Sequence, residues 1–220
     1  MSDTITIGVD HGYAAMKTTH CAFPTGLVGY DNEPYTQKDV LEYGGRFYVV
    51  GSGRQLLQKD KTTTEDYYLL TLAAIAKELA HRGAEPTAAV HLAAGLPLTS
   101  FGRDKKKFRA YLLRDGQPVS FRYEGIAYTV TIAEVSLFPQ GYAAVLTQQE
   151  LLDEPSAIAE SGLDARAMPA VFLGGGAALL KRHVSATDGL CRPLIMDDVC
   201  LNAKGYERLV GQLSRAVGNA

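Results

Sequence analysis

The apolar residues of this 220-residue chain change period along its length, and that change limits the folds open to it. Ile5, Ile7 and Val9 alternate with small or polar residues, the pattern of a strand over Thr4–Asp10. His11-Gly12-Tyr13 then reads as a turn, and Ala14–Phe23 as a returning strand. Leu41–Tyr43 and Phe47–Val50 flank Gly44-Gly45, a hairpin signal. From Thr62 the period becomes helical. Thr62 and Glu65 have capping-box spacing, Leu69, Leu72, Ala73, Ala76, Leu79 and Ala80 recur at helical intervals, and Gly83 closes the helix. Ala88–Ala94 is a short apolar run, as in a buried strand.

Further along, Pro97–Gly102 reads as a loop and Arg103–Leu113 as a helix carrying Lys105, Lys106, Lys107 and Arg109. Val119, Phe121 and Tyr123 alternate, as do Ile126, Tyr128, Val130 and Ile132 beyond the turn at Glu124-Gly125, which predicts a second hairpin. Val135–Phe138 is a further strand, and Pro139 stands at the start of a helix reaching Leu152. A weaker helix over Ser156–Arg166, a strand over Ala170–Leu173, a helix over Ala177–His183 and a strand over Pro193–Met196 follow. The closing helix, Leu201–Val217, carries Leu209, Leu213 and Val217 on one face. Strands alternating with helices give an α/β class. The halves are unequal: two hairpins precede Pro139, and none follows Pro155.

A formal net charge of -2 argues against a broad electrostatic footprint for nucleic acid. The longest apolar stretch, Leu69–Ala76, is far short of the roughly 20 residues that span a bilayer. Met1–Gly8 is too short and too polar for a signal peptide, so a cytoplasmic protein without membrane contact is expected. Cys21, Cys191 and Cys200 are scattered without a C-x-x-C, as expected of reduced thiols. The five histidines show no ligand spacing, so no structural zinc is expected.

Three segments could carry chemistry. In Asp10-His11-Gly12-Tyr13-Ala14-Ala15-Met16-Lys17 a strand ends in an aspartate, turns over a glycine and returns with a lysine. Successive N–H groups in such a turn can face phosphate oxygens. Asp10 could hold magnesium through water, and Lys17 could place positive charge near terminal phosphates. The same pattern also suits an ordinary hairpin with a solvated lysine. In Phe138-Pro139-Gln140-Gly141-Tyr142-Ala143-Ala144, a glutamine in the first turn of a helix can hold an attacking water; it can equally be a surface glutamine. In Val171-Phe172-Leu173-Gly174-Gly175-Gly176, glycines after a strand suit a flat ligand face or a phosphate at a helix N-terminus, or a tight turn with nothing bound. None of the three is a G-x-G-x-x-G or G-x-x-x-x-G-K-[ST] motif. The basic run Lys105–Lys107 with Arg109 reads as a solvated helix face, with a subunit or DNA contact as the lesser alternative.

Taken in order, these segments resemble the phosphate-1 loop, the first connecting helix and the adenosine motif of the actin/Hsp70/sugar-kinase superfamily. Gly95-Leu96-Pro97-Leu98 and Leu201-Asn202-Ala203-Lys204-Gly205-Tyr206 resemble the ParM/StbA plasmid-segregation actins more closely, the latter at the second connecting helix. The resemblance implies an actin-like (ribonuclease H-like) α/β fold with a largely complete first half and an abbreviated second half. Residues 1–152 would form domain I, with the phosphate-1 hairpin and an inserted hairpin subdomain. Residues 153–220 would form a shortened domain II. It also implies ATP and Mg2+ as cofactors, self-association into filaments of a cytoskeletal kind, and a DNA-binding adaptor protein rather than direct nucleic-acid contact. Carried over by position, Asp10, Gly12, Tyr13 and Lys17 would face phosphates, Asp10 the metal, Gln140 the attacking water, and Gly174, Gly175 and Gly176 the adenosine.

The chain departs from the family in one large respect. Between the connecting helix and the adenosine strand the family places a second D-x-G-x-x-T hairpin, and no such motif occurs here. The phosphates would then keep water on the open side, so ATP binding is expected to be weak or absent and hydrolysis impaired. A non-hydrolysing remnant that caps filaments of a full-length relative is the alternative, and a small-molecule kinase a more distant one.

Overall fold

The computed structural model describes residues 4–53, 60–145, 171–173 and 194–218. Six strands come first: β1 (Ile5–His11), β2 (Ala15–Thr18), β3 (Ala22–Pro24), β4 (Leu27–Tyr30), β5 (Val40–Tyr43) and β6 (Arg46–Val50). Helix α1 (Asp66–His81), β7 (Thr87–Leu96), α2 (Leu98–Leu113), β8 (Val119–Tyr123), β9 (Ile126–Pro139) and α3 (Tyr142–Val145) follow. Two short strands, β10 (Val171–Leu173) and β11 (Leu194–Met196), and helix α4 (Leu201–Gly218) complete the described elements.

Strands β1 to β9 form one sheet in the order β3-β2-β1-β7-β9-β8-β5-β6-β4. Its centre is parallel, with β7 between β1 and β9. The wings are antiparallel hairpins. The Gly44-Gly45 hairpin forms as read: both glycines have positive φ, 60° and 75°, as a turn matched to strand twist requires. The returning segment after Gly12 is broken into β2 and β3, which pair with each other. The strand read at Val135–Phe138 is not separate. It continues β9, whose register against β7 shifts between Val90 and His91, so that the preceding hairpin arm and the buried parallel strand are one element. Strands β10 and β11 pair in parallel as a second, two-stranded sheet.

Helix α1 is buried almost all round, from Tyr67 to Ala76 without a break. A helix apolar on every side must be covered on every side, and both wings of the sheet reach it. Thr18 of β2 bonds to Glu78 at 2.5 Å, while Tyr43 of β5 meets the Tyr68 ring at 6.4 Å. Lys77 pairs with Asp39 at 2.8 Å and lies over the rings of Phe23 and Tyr123. The capping box read at Thr62 and Glu65 is not formed. The helix starts at Asp66, Thr62 Oγ1 donates instead to Asp60 Oδ1 at 2.6 Å, and Glu65 pairs with Arg114. Similarly, α2 begins directly after Pro97 rather than at Arg103, taking in residues read as a loop.

Helix α4 follows the small sheet in sequence but packs on β1 and β7. Its buried residues among those described are Leu201, Ala203, Gly205, Tyr206 and Val210, whereas Leu213 is exposed. Of the face read from Leu209, Leu213 and Val217, Leu209 packs half-buried beside this stripe, Leu213 does not, and the Val217 side chain lies outside the described residues; the fully buried stripe is centred on smaller residues. Glycines cause this. A Cβ on Gly8 would stand 2.1 Å from the Ala203 carbonyl oxygen, and one on Gly205 2.2 Å from that of Ala143. The backbones of α4, β1 and α3 thus approach more closely than any side chain allows, and this draws the small residues of α4 inward.

A charge network locks α1 to both neighbours. Glu78 is fully buried and accepts from Thr18, His20 (2.5 Å) and Arg82 (2.7 Å). Arg82 continues to Glu207 of α4 at 2.5 Å, and Glu207 accepts from the Gly8 N–H at 2.8 Å. Burial alone would raise the Glu78 carboxyl, but the bonds from Thr18, His20 and Arg82 outweigh it and hold the group below its usual value. A depressed carboxylate contributes stability that is complete above its unfolded pKa of roughly 4.3 and is lost as pH falls through the folded value. Thermal melts between neutral pH and about pH 3 should therefore show Glu78→Gln less stable than wild type at neutral pH, by about 3 kcal/mol for a broken buried pair. The two should converge in acid. A constant gap across the range would contradict the assignment.

Candidate functional site

Alternation along β1 divides its side chains between two faces. Ile7, Val9 and His11 face α1 and α2: all three are fully buried, His11 Nε2 lies 2.8 Å from Thr71 Oγ1, and the His11 ring meets Phe108 edge-on at 5.2 Å. Gly8 and Asp10 face α4. Burial, with Lys61 beside it, pushes the His11 imidazole down to about 3, so it stays neutral. The one acidic side chain of this strand is thereby delivered to the opposite face.

Asp10 is 3% exposed and sits where four elements meet. Lys17 is its antiparallel partner across β1 and β2, on the same face, with Nζ 3.3 Å from Asp10 Oδ2. Gln140, in the turn after β9, donates from Nε2 to Asp10 Oδ1 at 3.0 Å. Asn202, in the first turn of α4, donates from Nδ2 to Asp10 Oδ2 at 3.4 Å. The turn is itself tied down: Gln140 N–H donates to the Leu96 carbonyl at 2.8 Å, and Gly141 N–H to Asn202 Oδ1 at 3.0 Å. Two residues read from sequence, Lys17 and Gln140, are thus brought onto the third, Asp10, across 130 residues of chain in the case of Gln140.

Gln140 precedes α3 rather than lying in its first turn, because β9 runs through Pro139 and the helix starts at Tyr142. Gly12 has a reason beyond ligand access. A Cβ there would stand 2.4 Å from the Ala15 carbonyl and 3.0 Å from Lys17 Nζ, so only glycine permits this tight a return. Thr25 fastens the turn by donating to the Gly12 carbonyl at 2.7 Å. Tyr13 projects at the tip, 42% exposed. Gly174, Gly175 and Gly176 lie outside the described residues.

Sequence reading placed Asn202 in a connecting helix but did not name it as a site residue. Asn202 stands 192 residues from Asp10, and the motif around it does not say which of its side chains reaches the hairpin. Among the described residues no three His, Cys, Asp or Glu side chains gather as metal ligands. Asp10 is a single carboxylate already accepting three donors. That suits a magnesium ion held mainly by phosphate and water better than one caged by protein.

A parallel-centred sheet with antiparallel hairpin wings, and an aspartate at the end of its first strand held by the turn after β9 and by a late helix, define an actin-like domain. The family model for the N-terminal domain of actin-like proteins matches residues 8–142, and the chain belongs to that family. Among solved structures it is similar to apo pSK41 ParM (19% identity, TM-score 0.56), covering 79% of this chain and 59% of that one. It is also similar to the 15-stranded ParM filament from Clostridium botulinum, at 16% identity and TM-score 0.57, with 79% and 56% covered. The Alp12 filament structure matches at 12% identity and TM-score 0.54, over 97% of this chain and 81% of that one. At these identities the likeness is one of fold. The chain spans less than two thirds of the length of the two ParM chains. No curated protein matches it.

Proposed function

We propose that this chain is a filament-forming, nucleotide-dependent actin-like protein of the plasmid-segregation kind, with hydrolysis impaired. The observation that carries this reading is the convergence of Lys17, Gln140 and Asn202 on Asp10. A hairpin turn, the turn before a helix and a late helix are cross-linked through one carboxylate, so a ligand at the hairpin is felt by all three. ATP would lie against the Gly12–Tyr13 turn, with Lys17 compensating phosphate charge and Gly174–Gly176 toward the adenosine. Magnesium would be reached from Asp10 through water, and when bound it supplies charge neutralisation across the phosphates. Gln140 donates its amide N–H to Asp10 and keeps its carbonyl oxygen to orient a water.

The chain carries no D-x-G-x-x-T turn, so the preorganised donors among the described residues come from one side of the phosphates. Binding is therefore weak and turnover slow. The AlfA filament bound to AMPPNP shares the fold at TM-score 0.51 and 21% identity, and it supports pairing nucleotide with assembly. A DNA-binding adaptor protein would provide the link to DNA.

Light scattering of the full chain with and without magnesium–ATP tests the reading. A nucleotide-dependent rise in scattering is expected, with phosphate release lagging far behind assembly. Unchanged scattering, together with suppression of ParM polymer when the chain is added, would replace this reading with a filament-capping role. The missing second turn is what favours that alternative.

A further inference from the structure

The turn that leads into α1 carries a buried lysine that the site as described leaves unused. Lys61 is 6% exposed. Its ammonium donates to the backbone carbonyl of His11, next to Asp10. The nitrogen lies 4.9 Å from the ring centre of Tyr13 and 5.4 Å from that of Tyr67. It thus faces a carbonyl and two π faces, where Lys17 faces a carboxylate. Among the described residues no carboxylate forms an ion pair with it, although the Asp10 charge acts on it; such a buried cation is costly to hold, and its turn is anchored. Asp60 Oδ1 accepts from the Thr62 N–H at 2.9 Å, and Asp60 Oδ2 pairs with Lys107 of α2 at 2.5 Å. Tyr111 of α2 donates to the Thr64 carbonyl at 2.9 Å. The turn is therefore fixed to α2 while its lysine is aimed at the phosphate hairpin. Beside the ammonium is a cavity of ≈ 30 Å³, lined in part by Tyr13, Ser100 and Phe108, with room for one or two waters.

We propose that Lys61 is a positioning residue for phosphate: it pins the His11–Tyr13 turn through the His11 carbonyl and places behind that turn a positive charge that bound phosphate compensates. This role rests on the phosphate reading of the hairpin. Burial pushes the Lys61 amine down to about 8; Asp10 opposes that shift and Lys17 adds to it. The groups facing it are Asp10 and His11 of β1, Tyr13 of the turn, Lys17 of β2, and Tyr67 of α1, whose phenol burial pushes up to about 12. Across the cavity stand Asp60, Asp104 and Lys107. A lysine whose amine sits near 8 is charged at pH 7 and largely neutral at pH 9, so its contribution to phosphate binding disappears over that interval.

Two measurements on the full chain test this. In hydrogen exchange without nucleotide, Lys61→Met is expected to speed exchange at the Gly12 and Thr25 amides by at least about tenfold, with β7 unchanged. In magnesium–ATP titrations followed by NMR, wild type should lose about tenfold in affinity from pH 7 to pH 9. Lys61→Met should start about tenfold weaker and show no such loss, while Lys61→Arg should keep the pH 7 affinity and stay flat. Wild-type exchange at Gly12 and Thr25 in Lys61→Met, or a wild-type affinity and pH profile, would overturn the proposal. Binding that requires Asp10 and ignores Lys61 would overturn this role alone. No magnesium–ATP binding by wild type would overturn the phosphate reading and this role with it.

Discussion

Asp10→Ala should both destabilise the fold and abolish its response to nucleotide. The carboxylate is 5% exposed as a side chain, and its removal leaves the Lys17 ammonium and the Gln140 and Asn202 amides without their shared acceptor. Breaking a buried ion pair from one side costs about 3 kcal/mol or more, which in a chain of this size lowers the melting temperature by roughly 6–12 °C. The second effect separates a functional carboxylate from a structural one. Magnesium–ATP should raise the wild-type melting temperature and leave that of Asp10→Ala unmoved. Asp10→Asn keeps the shape and one acceptor, so it should recover part of the stability without the nucleotide response. If Asp10→Asn responds to nucleotide as wild type does, the carboxylate charge has no part in binding.

Gly8→Ala should be at least as damaging, although it adds a single methyl group. The added carbon would stand 2.1 Å from the Ala203 carbonyl oxygen and 2.8 Å from its carbon, both backbone atoms of α4. No side-chain rotation relieves that contact, so α4 must lift away from β1. Overpacking of a core costs 1–3 kcal/mol where side chains can adjust, and about 3 kcal/mol or more is expected here. Because α4 carries Asn202 to Asp10 and Glu207 to Arg82 and the Gly8 N–H, the shift would reach the site as well. Chemical denaturation should show the loss, and Gly205→Ala, 2.2 Å from the Ala143 carbonyl, should behave alike. Wild-type stability in both variants would mean that α4 does not sit this closely on the sheet.

What could be read in advance was whatever short-range chemistry specifies. Gly44, Gly45 and Gly125 mark hairpins because residues that accept positive φ readily are few, and all three adopt it, with Glu124 drawn to φ 50° beside Gly125. Asp10 and Lys17 meet because a tight turn makes them cross-strand partners. The α1 core was legible from its period, but its cap was not. Thr62 and Glu65 have the right spacing and yet bond to Asp60 and Arg114, since tertiary partners outcompeted the local ones. The start of α2 escaped because Leu98 is an exposed leucine at a helix start and fits no apolar period. On α4 the reading caught Leu209 but took the exposed Leu213 for core, because a leucine looks more core-like than Ala203 and Gly205. Close backbone approach favours the small residues, and only the fold reveals it. The segment of Asn202 was singled out by its resemblance to a connecting helix, but its bond to Asp10, and the approach of Lys61 to the His11 carbonyl, depend on elements far apart in the chain meeting at β1.

The most direct test of the account is a calorimetric titration of magnesium–ATP into the full chain and into Asp10→Ala, with phosphate release followed in parallel. A one-sided clamp centred on Asp10 predicts saturable binding by wild type with a dissociation constant of about 0.1–1 mM, slow release of phosphate, and no binding by the variant. Equal binding by the two proteins, no binding by either, or tight binding with brisk turnover would contradict it.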